Sequence, residues 1–157
     1  MVIAAVSRPF KWARLPCVVD EVELVRRAVP SRIPVELLDD VQHAGITPSA
    51  APTTSAVLER LPEVTILHLA CHGYQDPLKP LESGFVMSDT MLTVSKLMAL
   101  NLDNAFLAFL SACETAKGDK AHADQAIHLA AAMLFAGFKS VVGTMWYVYR
   151  ALPTAGC

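Results

Sequence analysis

No C-x-x-C pair occurs in this sequence. Its four cysteines, Cys17, Cys71, Cys113 and Cys157, lie far apart. That spacing argues against a zinc ribbon or a thioredoxin-type motif and predicts an intracellular, cytoplasmic chain with reduced thiols. A metal centre built from His68, Cys71, His72 and Cys113 is disfavoured too, since Cys71 and His72 would point to opposite sides of an extended backbone. Long apolar runs are also missing, and none approaches the roughly 20 residues of a membrane span. The apolar start, Met1 to Val6, is followed rather than preceded by Arg8, Lys11 and Arg14, the reverse of a secretory leader. An excess of either charge is missing: 13 basic and 15 acidic residues leave a net charge of −2, which offers nucleic acid no surface. Neither G-x-G-x-x-G nor G-x-x-x-x-G-K-[ST] follows any apolar run, so a nucleotide-binding doubly wound domain is a weak reading.

What is present is a globular composition. Of 157 residues, 54% are hydrophobic and 18% charged, enough for one domain with a real core. Val2 to Val6 predicts a strand, and Ser7 to Pro16, with its prolines and basic residues, a loop. Between Cys17 and Ala28, Val18, Val22 and Val25 recur at helical spacing. Acidic residues load the front of that segment and Arg26 and Arg27 its end, matching the helix dipole. Pro34 to Leu38 predicts a second strand ended by Asp39-Asp40, and Val41 to Pro52 a loop. Thr53 or Thr54 caps a helix through Leu61. Phe85 to Met87 and Met91 to Thr93 flank Ser88-Asp89-Thr90 as a small hairpin, and Thr93 caps a short helix over Val94 to Ala99. The alanine-rich stretch from Ala121 to Ala136 predicts a helix closed by Gly137, and Ser140 to Thr144 a last strand. Strands alternating with helices imply an α/β fold with a mainly parallel sheet.

Two further runs organise the chain. Val64 to Ala70 and Ala105 to Leu110 are short, bulky and bounded by turn chemistry, as strands buried on both faces are. The first leads to Cys71-His72-Gly73, the second to Ser111-Ala112-Cys113-Glu114-Thr115. Each delivers a reactive side chain at its carboxyl end, where open parallel sheets place their chemistry. Neighbouring strands lie only about 4.8 Å apart. If these two are neighbours, an imidazole and a thiol meet at one edge, as a base and a nucleophile.

His68-Leu69-Ala70-Cys71-His72-Gly73, Leu110-Ser111-Ala112-Cys113-Glu114-Thr115-Ala116, Asp124 to Met133 and Ser140-Val141-Val142-Gly143-Thr144-Met145-Trp146 resemble the CHAT domain, a relative of caspases and separases. The resemblance runs from about Val2 to Trp146, and implies a caspase-like three-layer α/β/α sandwich with cysteine endopeptidase chemistry. By motif, His72 matches the catalytic histidine and Cys113 the nucleophile, while His68 reads as a strand residue. The backbone N–H groups of Gly73 and Cys113 would stabilise the oxyanion. No cofactor or metal is implied. The partners implied are a protein or peptide substrate and a TPR-type repeat domain or regulatory protein, with no nucleic acid and no membrane. Residues 1–146 read as an incomplete CHAT-like domain, truncated at both ends, and 147–157 as a divergent tail. That truncation predicts weak or no peptidase activity and keeps an inactive scaffold or interaction module as the alternative.

The site residues have plainer readings as well. Cys113 is either a nucleophile or a buried thiol, and its place after a strand, before polar Glu114 and Thr115, suggests a loop tip. A backbone carbonyl suffices to orient the imidazole of a Cys–His pair, so a missing third side chain is no obstacle. Asp124 supplies either helix N-terminal charge or a substrate-pocket contact. Trp146 lines a pocket or packs the sheet edge. His122 and His128 sit on a predicted helix, and His43 lies in a polar loop without functional signal.

Overall fold

A computed structural model describes residues 1–43, 47–76, 78–114 and 126–143; for Cys113, Glu114 and residues 126–128 it describes the backbone alone. The sheet has seven strands: β1 (Val2–Ala5), β2 (Glu36–Asp39), β3 (Ile66–Tyr74), β4 (Gly84–Val86), β5 (Met91–Thr93), β6 (Leu107–Glu114) and β7 (Ser140–Gly143). Five run parallel in the order β2-β1-β3-β6-β7. β4 and β5 form an antiparallel hairpin that attaches to the carboxyl end of β3. Among the described residues, four helices accompany them: α1 (Cys17–Ala28), α2 (Thr54–Arg60), α3 (Val94–Met98) and α4 (Ala126–Ala136).

The strands alternate their side chains between two helix layers. On one face, Leu67, Leu69, Cys71, Ala108 and Leu110 pack with Val57 of α2, Leu97 of α3 and Leu129 and Met133 of α4. On the other, Ile3, Ala5, Leu37 and Ala70 pack with Val18 and Val22 of α1. This is the three-layer α/β/α sandwich that the motifs imply.

Local chemistry places several boundaries. The Thr53 and Thr93 side chains accept from the backbone N–H groups of Ala56 and Lys96, which satisfies donors that a helix start leaves orphaned. A 3₁₀ turn, Leu61–Glu63, follows α2 where Pro62 stops it. Gly137 ends α4 at φ +121°, and a Cβ there would come within 2.5 Å of the Leu102 carbonyl oxygen, so no other residue fits. Residues 121–125 of the predicted last helix lie outside the described residues.

Three expected strands are corrected. The strand of His72 does not end at Ala70 but runs on to Tyr74, because β4 pairs with it at His72, Gly73 and Tyr74. Likewise β6 continues through Cys113 to Glu114, so Cys113 belongs to the strand ladder and not to a loop tip. The second strand starts at Glu36 and includes Asp39, since the partners of β1 extend from Glu36 to Asp39.

Candidate active site

β3 and β6 are neighbours over eight residue pairs, and their register sets His72 directly beside Cys113 and Gly73 beside Glu114. Directly paired residues of adjacent strands share a face. That face is the α1 side: two pairs back along the strands, Ala70 packs on Val18 and Val22 of α1. Four residues back, the His68 ring stacks on Phe109 at 5.1 Å and its Nε2 meets Glu21 Oε1 of α1 at 2.9 Å. His68 is therefore a satisfied, buried strand residue, as read from the sequence.

His72 is 2% exposed. A strap, residues 7–15, runs from the end of β1 across it. The strap closes on itself where Leu15 N–H donates to the Ser7 carbonyl at 3.0 Å, and Phe10 N–H ties it to Met87 at the β4–β5 hairpin at 3.2 Å. Inside the strap, Trp12 lies 5.5 Å from the His72 ring and meets Tyr74 edge-on at 5.7 Å. Nε2 of His72 lies 2.8 Å from the Ala13 carbonyl oxygen. A carbonyl only accepts, so Nε2 carries the proton and the lone pair of the neutral ring sits on Nδ1. The Ala13 carbonyl thus holds the His72 ring by its Nε2–H.

Cys71 points the other way, into the core with Leu67 and Leu69. Burial pushes its thiol far up from the ordinary range, and the negative charge of Glu21 adds to the rise. It is a free cysteine. Cys17, in contrast, is disulfide-bonded, which corrects the expectation of reduced thiols throughout. No group of metal-ligating side chains forms among the described residues.

Gly73 is buried within β3, and a Cβ there would sit 3.2 Å from Leu129 Cδ1. Asp124, Trp146 and His122 lie outside the described residues, and His128 is described by its backbone alone. His43 is not a free polar-loop residue: it is buried against Asp39, with Nε2 2.6 Å from Oδ2.

Trp12, Ala13 and Asp40 were not singled out from the sequence. The local signal for the strap was slight, one tryptophan in a basic, proline-bounded loop. What makes it part of the site is contact with a residue some 60 positions away in the chain.

The fold and this paired histidine and cysteine define the class: a caspase-like α/β/α domain. The family model of the CHAT domain matches residues 3–154, nearly the whole chain, and the protein belongs to that family. It is therefore a member of a caspase-like peptidase family. No curated protein matches the chain. Among the described residues, no helix is long and apolar enough to cross a membrane.

Proposed function

We propose that this chain is a CHAT-type cysteine endopeptidase domain with Cys113 as nucleophile and His72 as general base and acid. The observation that carries the reading is the direct pairing of His72 with Cys113 across β3 and β6, with the imidazole held by Ala13. With Nε2–H engaged, Nδ1 is the nitrogen left to take the thiol proton. Thiolate rather than thiol attacks, and an imidazolium neighbour lowers a cysteine pKa from about 8.5. The thiolate adds to the peptide carbonyl carbon, and the backbone N–H groups of Gly73 and Cys113 serve the oxyanion. His72 then returns the proton to the departing amine. Water, deprotonated by the same imidazole, hydrolyses the acyl-enzyme. Asp124 and Trp146 are proposed to contact the substrate, and a TPR-type repeat domain or regulatory protein to activate the site, in the cytoplasm.

The test is a peptidyl electrophile applied to the reduced chain. Adduct formation at Cys113 that falls at least tenfold in His72→Ala supports the dyad. Labelling indifferent to His72 overturns it.

One observation favours the second reading, an inactive scaffold or interaction module. Phe109 and Val142 are paired neighbours on β6 and β7, and they are 40% and 48% exposed. A bare apolar pair on the α1 side suits a protein contact. The electrophile experiment separates the two readings.

A further inference from the structure

Asp40 stands two strands away from His72, just past the end of β2. The β1–β2 register pairs Ala5 with Asp39, so its continuation brings Asp40 alongside the start of the strap. There one carboxylate takes two successive backbone donors: Ser7 N–H at 3.0 Å to Oδ1 and Arg8 N–H at 2.6 Å to Oδ2. Ser7 is only 5% exposed, so its N–H would find little water if the carboxylate were lost. Its carbonyl is the one that accepts from Leu15 N–H and closes the strap. Both polar groups of the Ser7 backbone are therefore spent on fixing this neck.

We propose that Asp40 is a positioning residue for His72, acting by clamping the neck of the strap whose Ala13 carbonyl holds the imidazole. The proposal rests on the dyad reading for its effect on reactivity. The strap's other backbone ties among the described residues are neutral bonds of 3.0 to 3.4 Å: Leu15 to Ser7, Phe10 to Met87, Trp12 to Pro9 and Val18 to Leu15. The Asp40 bonds are charge-assisted, and such bonds are roughly twice as strong as neutral ones. Asp39 is fixed beside it by His43 and by Val41 N–H, so the clamp stands on a rigid base. When the clamp opens, the strap keeps its sequence but loses its position. Ala13 then leaves Nε2, and the ring loses the acceptor that fixes its tautomer.

The test uses the full chain, labelled with ¹⁵N-histidine and reduced. Two quantities are read: the tautomer of His72 from its ring nitrogen shifts, and the rate of Cys113 labelling by a peptidyl electrophile. The original chain should show a single Nε2–H tautomer. Asp40→Ala should show mixed tautomers and label about 10- to 100-fold more slowly, the scale on which a displacement of about 1 Å acts. Asp40→Asn keeps an accepting oxygen for one of the two donors and should fall between. Thermal melting establishes that each variant is folded. If Asp40→Ala does not fold, Asp40→Asn decides. An unchanged tautomer and rate in a folded variant overturn the proposal, as does loss of the fold in both, which would make Asp40 a folding residue only. Failure of the dyad reads differently: His72→Ala then labels like the original chain, while the tautomer still reports on Asp40.

Discussion

The Ala13 carbonyl oxygen accepts a hydrogen bond from His72 Nε2 at 2.8 Å, across 59 residues of sequence. The bond selects one tautomer and leaves Nδ1 as the basic nitrogen. A side-chain carboxylate in the same place would favour the imidazolium far more strongly. A neutral carbonyl orients the ring while leaving it able to take and return a proton.

The two faces of β3 predict different thiol reactivities. After mild reduction, limiting iodoacetamide at neutral pH should modify Cys113 before Cys71. Cys71 is 2% exposed, faces the core and has its thiol pushed up by burial, so it holds almost no thiolate at that pH. Mass-spectrometric mapping of the alkylated peptides checks the order. Alkylation of Cys71 ahead of Cys113 would reverse the assignment.

Lys11 carries the strap through φ +59°, a left-handed conformation. Such a residue costs roughly 1–2 kcal/mol relative to glycine's easy access there. Glycine loses about 0.5–1 kcal/mol through its freer unfolded chain, so Lys11→Gly should match or slightly exceed the original stability. Lys11→Ile should lower it by more than about 1 kcal/mol, because a β-branched side chain tolerates positive φ worst. Thermal melting of the three chains ranks them. An isoleucine variant as stable as the glycine variant would contradict the strain.

How far the chain was legible follows from how local each cause is. The caps at Thr53 and Thr93, the proline after α2 and the glycine after α4 act within a turn, and they stand where the pattern puts them. His72 and Cys113 were found as ends of two similar runs, and the register makes them partners. Their strands are longer than expected because pairing with β4 and the β3–β6 ladder, both distant in sequence, extend them. The polar-looking loop after Val41 hid the burial of His43, whose partner Asp39 read only as a strand terminator. Asp40 read the same way, although its carboxylate binds a segment more than 30 residues earlier. Clamps of this kind leave no periodicity.

Asp39 and His43 give a pH dependence of known sign. Their side chains are 0% and 1% exposed. Burial raises the Asp39 carboxyl above its ordinary 3.8, Asp40 adds to the rise, and the bonds from His43 and Val41 N–H only partly offset it. The folded state then holds this proton more tightly than the unfolded one. Its contribution is fully present below pH 3.8 and is lost as pH rises through the raised value. Asp39→Asn cannot titrate, so the stability of the original chain relative to it should decline across that window. Asp39→Ala cannot titrate either, so its cost, about 1–3 kcal/mol at low pH from leaving a buried ring without its acceptor, should shrink across the same window. Urea unfolding at stepped pH measures both, and a rising relative stability of the original chain would refute the sign.

His72 is 2% exposed beneath Trp12 and the strap, while Phe109 and Val142 on the same side stand open to water. The first fact limits how a peptide reaches the imidazole. The second leaves apolar surface unused, at about 25 cal/mol for each Å² that a partner could cover. An enclosed imidazole and a bare apolar pair lead us to expect a domain that works with something bound. Alone, the reduced chain should cleave a mixed peptide library weakly or not at all, and Cys113→Ala not at all. Small iodoacetamide should still reach Cys113 faster than a peptidyl electrophile does, after each is scaled to its rate with free cysteine. Robust cleavage by the isolated chain, abolished in Cys113→Ala, would show that no partner is needed. Substituting Val142→Thr should leave iodoacetamide labelling within about twofold, because a surface change away from buried features alters stability by less than about 0.5 kcal/mol, whereas Phe109 also stacks on the buried His68 ring. A collapse of that labelling would mean that Val142 supports the site from within the chain and does not await a partner.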